Sequence, residues 1–493
     1  MVRAEGDRAF LDSRGSFGAA ELEHAEIKMT SAVLAQGSRI WAEEIPSRRA
    51  VVMGMARTGR AAAAALARRG AKVVATDMNE PIGLAEELPP GVALELGGHS
   101  EETFRGCDLL VVSPGIPATD PFIAAALEGG AEVITEIELA SRLTSAPIAA
   151  VTGTNGKTTT TAMLSGILNE AGIKAPAGGN IGRPMTEMVE EEGDQADIFV
   201  CEVSSFQLEW SPTLRPRVAV MTNITPDHLD RHSDLGEYAA LKARLFSNQG
   251  PEDAKVVNGD DPLTARYLGW GIQQAFSFSR KAAHRQGAWA EKGEIYILMG
   301  GEPERVCAVD DLSVPGVHNL ENFLAACAAA RFLGVGVEDM VRLARKFEGL
   351  PHRMEIVSRS GGVTWINDSK GTNVGATTMS LMSVEGGVLL IAGGTDKGGD
   401  LSPLLGPMRE RVRKMFLIGE AADRFAAFFE SAVPVERSGT LGEAVRRAAV
   451  EVRTGETVLL SPACSSFDQF RDFEHRGDVF REFAKAVSGE VES

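Results

Sequence analysis

Three α/β domains are the architecture this sequence predicts, and three observations predict it. The chain has 493 residues, too many for one ordinary core, and 44% of them are hydrophobic, enough to fill several. Short apolar, β-branched runs alternate with longer Ala- and Leu-rich stretches, the pattern of parallel strands covered by helices on both faces. Most of those runs stop at a Gly-bearing or polar turn, the punctuation of a strand-turn-helix layer.

In chain order, residues 1–45 mix charges with small residues, lack a sustained apolar period, and read as an extension open to disorder. A short helix is expected near Ala19 to Lys28, and Met29 stands as a second candidate start. The first domain spans 46–140. Its RRAVVMGMARTGRAAAAALARRGAKVVATD reads as strand, Gly-bearing turn, Ala-rich helix and a strand ending in Asp77, a Rossmann-like βαβ unit. A further strand, DLLVVSPG at 108–115, ends on a Pro-Gly turn, and a helix and strand follow through Ile134. The central domain, 141–349, opens on the strand PIAAV and the loop AAVTGTNGKTTTTAM, then continues through DIFVCEV at 197–203 and RVAVMTNI at 217–224, a P-loop ATPase-type parallel sheet. A Gly/Pro break, GLPHR at 349–353, separates it from a C-terminal Rossmann-like domain, 350–493, in which WINDSK, VLLIAGG, KMFLIGE and TVLLSPA are strands running into polar turns.

Composition narrows the function. A net charge of −18 disfavours a general nucleic-acid or anionic-membrane surface, since both need a basic face. No run of 18 apolar residues occurs, and the charged MVRAEGDRAFLDSRG lacks a signal's apolar stretch, so a soluble cytoplasmic protein without membrane insertion is expected. Five widely spaced cysteines with no CxxC pair argue against both a disulfide framework and a zinc cluster. Anionic ligands of such a chain must be caught by individual cations and oriented amides.

The loop at 149–163 supplies both. Gly153 and Gly156 permit a tight turn with inward amides, carrying Thr154 and Asn155 between them. Lys157 can reach terminal phosphates, and Thr158 can offer a hydroxyl to Mg²⁺ at a helix N-terminus, followed by Thr159. The spacing departs from GxxxxGK[ST], because Val151 stands five residues before Gly156. Glu202 ends the apolar run DIFVCEV, where a carboxylate is costly to bury without a cation, which makes it a candidate Mg²⁺ ligand. His228 and His232 share the i, i+4 spacing of a zinc pair, but Leu229 replaces the zincin glutamate. A role for His228 beside the nucleotide is the more economical reading. In the first domain Gly54, Ala56 and Gly59, followed by Asp77, form a degraded dinucleotide fingerprint in which the Cβ of Ala56 would crowd a pyrophosphate.

Eight motifs taken together, TGTNGKTTT, GGNIG (178–182), EVSSFQLE (202–209), NITPDHLDRH (223–232), GVHNLEN (316–322), GLPHR (349–353), NDSKGTN (367–373) and SPACSSFDQFRDFEHRGDVF (461–480), strongly resemble the Mur ligases. They follow the family's order over roughly residues 49–485. The resemblance implies a three-domain ligase. Its first domain would bind a uridine diphosphate sugar, which replaces the NAD reading, through Arg57, Thr58, Asp77 and the Ser113-Pro114-Gly115 turn, with Asn180 at the sugar or pyrophosphate. Arg57, Met78 and Asn79 depart from residues found in some relatives. The family's ATP and two Mg²⁺ ions would fall to the glycine loop, to Thr158 and Glu202, and to His228 with Lys242 as a carbamate. Without the resemblance, Lys242 in YAALKARLF reads as a solvated side chain. Asn319, Asn322, Arg353 and Asp368 would contact adenine and ribose, and Lys370, Thr372, Lys397, Ser466 and Phe473 would hold the incoming amino acid.

The implied reaction is ATP-dependent joining of D-glutamate to UDP-N-acetylmuramoyl-L-alanine through an acyl phosphate, carried out by a monomer in peptidoglycan precursor synthesis. SSFQLE and the SPACSSFDQF tail favour D-glutamate addition over a sister ligase or a folylpolyglutamate synthase. A nucleotide-sensing binding protein and an NAD oxidoreductase are the readings outside ligases.

Overall fold

A computed structural model describes residues 43–489, apart from 81, 82, 228–230, 232, 233, 282–285, 315, 385 and 397. The expectations for residues 1–42, His228, His232 and Lys397 therefore lie outside the described residues.

Three sheets form in chain order. The first contains β1 (Arg49–Met53), β2 (Lys72–Asp77), β3 (Ala93–Leu96), β4 (Leu109–Val112) and β5 (Glu132–Thr135), all parallel, in the order β3-β2-β1-β4-β5. The chain reverses its direction of travel between β1 and β4, so their C-terminal ends open a crevice, the usual ligand position in such a sheet. Edge strand β3, absent from the sequence reading, exposes Ala93 and Leu94 and so carries little apolar signal.

The second sheet has nine strands: β6 (Ile148–Thr152), β7 (Ala177–Gly179), β8 (Phe199–Glu202), β9 (Val218–Met221), β10 (Ala254–Asn258), β11 (Gln274–Ser279), β12 (Gly287–Glu291), β13 (Glu294–Leu298) and β14 (Glu304–Ala308). Their order is β14-β13-β12-β11-β10-β9-β6-β8-β7. Strands β6, β8 and β9 are wholly buried apolar runs because helices cover both faces. Helices Lys157–Glu170, Val317–Phe332 and Val337–Lys346 pack on one face, and Glu136–Leu143, Met185–Glu192 and Leu235–Ala243 on the other. Each fully buried aliphatic side chain there contributes roughly 1.5–3 kcal/mol. The sequence expected a parallel sheet throughout, yet β12, β13 and β14 are antiparallel to one another. A two-residue turn makes the first reversal: Lys292 (φ 53°) and Gly293 (φ 81°) both have the positive φ that suits the strands' twist.

The third sheet runs β15 (Glu355–Ser360), β16 (Val363–Asn367), β20 (Thr457–Leu460), β17 (Val388–Gly393), β18 (Val412–Ile418) and β19 (Val435–Gly439), parallel except for β15. Among the described residues no helix is long and apolar enough to cross a membrane, and all five cysteines are free and buried.

Candidate active site

The glycine loop begins where β6 ends. Gly153 (φ 139°) leaves no room for a side chain, since a Cβ would lie 2.0 Å from Thr222 Oγ1. Gly156 (φ 81°) precedes the Lys157–Glu170 helix, and a Cβ there would lie 2.2 Å from Asn322 Oδ1. The loop is held from below: Asn155 N donates to Asn223 Oδ1 (2.9 Å), Thr225 N to Thr154 Oγ1 (3.0 Å), and Thr222 Oγ1 to the Asn155 carbonyl (2.6 Å). No side chain caps the helix, which leaves the first-turn amides of Lys157, Thr158 and Thr159 facing an anion position. Lys157 is partly buried and donates to the Thr154 carbonyl at 2.8 Å.

Glu202, at the tip of the neighbouring strand β8, is 2% exposed. Thr158 Oγ1 donates to it at 2.7 Å and Asn180 Nδ2 at 3.0 Å. Burial alone would raise this carboxyl, but Lys157, Arg353 and the two hydrogen bonds hold it below its ordinary value. Arg353 arrives from the linker between the second and third sheets and donates to the Thr158 hydroxyl. The hydroxyl is thus fixed between a carboxylate and a guanidinium.

Lys242 corrects the solvated reading: it is 1% exposed, with Nζ 4.5 Å from the centre of the Tyr238 ring one helical turn earlier. Burial first, and Lys157 second, push its amine well down, against the pull of Asp227 and Glu202. Lys157, Asn180, Ser204, Ser205, Phe206, Asp227, Tyr238 and Lys242 line a cavity of about 110 Å³. Sequence reasoning assigned no role to Asp227 or Tyr238. The i, i+4 spacing of Tyr238 and Lys242 was the available signal.

The third sheet delivers its loops to the same place. Asp368 follows β16, is buried, and accepts from Ser380 Oγ (2.6 Å) and Ser461 Oγ (2.8 Å); burial pushes it up to about 6. Lys370 sits 3.6 Å from the centre of the Phe473 ring and is pushed down to about 7, first by burial, then by Arg353. Thr372 N donates to the Lys370 carbonyl (2.7 Å), and buried Ser466 closes the turn after β20. Arg476, missed by the sequence reading, is fully buried. It joins these turns by donating to Ser369 Oγ (3.0 Å), the Ser369 carbonyl (2.8 Å) and the Ser465 carbonyl (3.2 Å). Asn373 caps the Val374–Ser383 helix and donates to Asp227 Oδ2 at 3.1 Å, across the gap between domains. Asn322 accepts from Thr160 Oγ1 (3.2 Å), and Asn319 lies one turn earlier on the same helix.

In the first domain, Asp77 turns inward: it accepts from Met55 N (2.7 Å) and Asn79 N (2.9 Å). Ser113 Oγ donates to the Gly54 carbonyl (2.9 Å), so the ends of β1, β2 and β4 meet at the crevice where Thr58, Pro114 and Gly115 also lie. Arg57 Nη1 donates to the Gly182 carbonyl at 2.6 Å. In a chain of net charge −18, Lys157, Lys242, Arg353 and Lys370 nevertheless cluster around Glu202.

Family models match three stretches: the MurD-like N-terminal domain of Mur ligases at 48–135, the Mur ligase middle domain at 151–330, and the Mur ligase glutamate ligase domain at 352–464. A protein of Pelotomaculum thermopropionicum named UDP-N-acetylmuramoylalanine--D-glutamate ligase is 44% identical over 451 residues, 90% of this chain and 99% of that one. One of the same name from Geobacter metallireducens is 44% identical over 448 residues, 90% and 98% of the two chains. Among solved structures, UDP-N-acetylmuramate-alanine ligase MurC of Thermotoga maritima shares the fold, with a TM-score of 0.57 at 18% identity over 89% of this chain and 99% of that one. The chain belongs to the Mur ligase family, among relatives named for D-glutamate ligation.

Proposed function

We propose that this chain joins D-glutamate to the L-alanyl carboxylate of UDP-N-acetylmuramoyl-L-alanine, with ATP converted to ADP and phosphate, as a cytoplasmic monomer. The observation that carries the reading is the convergence on Glu202 of Lys157 and Lys242 from the central domain, of Arg353, whose guanidinium donates to Thr158, and of Lys370 from the C-terminal domain.

A carboxylate resists amines because oxide is a poor leaving group. Transfer of the γ-phosphoryl of ATP to it gives an acyl phosphate, from which phosphate departs after the amine of D-glutamate has attacked. Both reacting groups are anions, so the site must supply positive charge between them. At about 4 Å and an effective dielectric near 20, each unit-charge pair is worth roughly 4 kcal/mol. Lys157 and the amides of residues 153–159 supply it on the ATP side. Asn319, Asn322, Arg353 and Asp368 take the adenosine.

Thr158 and Glu202 form a hydroxyl and carboxylate pair of hard oxygen donors that fits Mg²⁺, the second ion falling to His228 and Lys242. Bound there, the ions would neutralise charge on the phosphates. Burial favours the neutral Lys242 amine, and only a neutral amine adds CO₂ to become the anionic carbamate that such an ion requires. Lys370, Thr372, Lys397, Ser466 and Phe473 hold the amino acid. A lysine pushed down to about 7 becomes charged again once a carboxylate arrives beside it.

ADP release with UDP-N-acetylmuramoyl-L-alanine is the test, with D-glutamate, L-glutamate, L-alanine or diaminopimelate as the amine. D-glutamate alone should support turnover, and Lys157→Ala should lower it at least a hundredfold while leaving UDP binding intact. Turnover with another amine, or a variant keeping a tenth of the rate, contradicts the assignment.

A further inference from the structure

Arg231 reaches from the central domain to the first domain's turn after β4. Its guanidinium donates to two successive carbonyls of the turn after β4, Nη1 to Gly115 at 3.2 Å and Nη2 to Ile116 at 3.3 Å. The face of the same group lies 4.6 Å from the centre of the Phe206 ring, and the Glu209 carboxylate is 3.7 Å from Nη2. Phe206 and Glu209 belong to the Ser205–Glu209 helix, which starts just past Glu202.

The grip matters because Gly115, at the tip of the turn, has no side chain to anchor it, while Ile116 packs against the core of the first domain. Ser113 is tied to Gly54, and Ile116 N donates to the Ser113 carbonyl at 3.1 Å, but Gly115 is exposed and a Cβ there would meet nothing within 4 Å. Arg57 reaches the other way, from the first domain to the Gly182 carbonyl of the central one. These two arginines thus run in opposite directions, each ending on loop backbone of the other domain.

We propose that Arg231 is a positioning residue for the sugar nucleotide: it sets the Ser113–Ile116 turn at a fixed distance from the Glu202 loop, so that a ligand seated in the first sheet reaches the phosphoryl chamber. The proposal rests on the sugar-nucleotide reading above. A planar fork that stacks and donates twice is a task for arginine, and an ammonium does only half of it.

Equilibrium titrations on the full chain separate this from a merely structural role. For Arg231→Ala, the Kd for UDP-N-acetylmuramoyl-L-alanine should rise at least tenfold while that for a non-hydrolysable ATP analogue stays within twofold, and Arg231→Lys should fall between. An unchanged sugar-nucleotide Kd, or equal weakening of both ligands, overturns the proposal. A wild-type chain that fails to bind the sugar nucleotide overturns it together with the functional reading. Wild-type binding without turnover removes only the functional reading.

Discussion

Glu136 shows what burial does to a single side chain. It is 1% exposed; Oε1 accepts from Thr186 N (2.6 Å) and Thr186 Oγ1 (2.7 Å), while Oε2 is buried with no hydrogen-bond partner. Burial raises its pKa from 4.5 to about 7. The native state therefore holds a proton that the unfolded state has released, so stability is fully present below 4.5 and is lost as pH rises towards 7. The loss is on the order of 3 kcal/mol. Urea midpoints measured from pH 5 to 8 should fall for the wild-type chain and flatten for Glu136→Gln; parallel curves would contradict the assignment. Lys157 and Thr158 were legible in the sequence because the spacing of a strand, two glycines and a lysine is local, and Glu202 because a carboxylate ends an apolar run. Arg476 and Arg231 were not, because Ser369 and Gly115, which they hold, lie 107 and 116 residues away in the chain and only folding brings them near.

At the scale of elements, the linker and the last helix form one joint. Gly349, His352 and Met354 have φ of 83°, 62° and 48°, a left-handed run that two of the three residues adopt at a steric cost. The ring of His352 is held by Asn367 Nδ2, 3.0 Å from Nδ1, and lies flush against Gly477 in the Phe473–Ser488 helix. Alanine in a helix interior ordinarily gains about 1 kcal/mol over glycine. Here its Cβ would lie 2.1 Å from His352 Nδ1, and overpacking of that kind costs 1–3 kcal/mol. Gly477→Ala should therefore be destabilised in urea despite its better helix propensity, and equal or greater stability would refute the packing argument. The GLPHR break was visible as a Gly/Pro interruption, but not that it docks on a helix 125 residues later. Strands β13 and β14 were overlooked because they bury only alternate or a few residues, so no continuous apolar run marks them.

Across the whole molecule the joints are unequal. The first and central domains share buried polar links, Thr135 N donating to the Trp210 carbonyl (2.9 Å) and Leu214 N to Glu138 (2.9 Å), and a half-buried pair of Arg69 with Glu190. The C-terminal domain meets the central one through Arg353 on Thr158, Asn373 on Asp227 and the pair Ser383 and His318, 3.0 Å apart. These few links make the last domain the one expected to swing about the 349–353 linker; scattering profiles should contract when an ATP analogue and the sugar nucleotide are added, and unchanged profiles would contradict it. The reaction proposed for the site is phosphoryl transfer to a carboxylate, and isotope transfer reports it directly. With UDP-N-acetylmuramoyl-L-alanine carrying ¹⁸O in both alanyl carboxylate oxygens, the phosphate released during D-glutamate ligation should contain one ¹⁸O atom per molecule. Phosphate free of ¹⁸O would contradict the account.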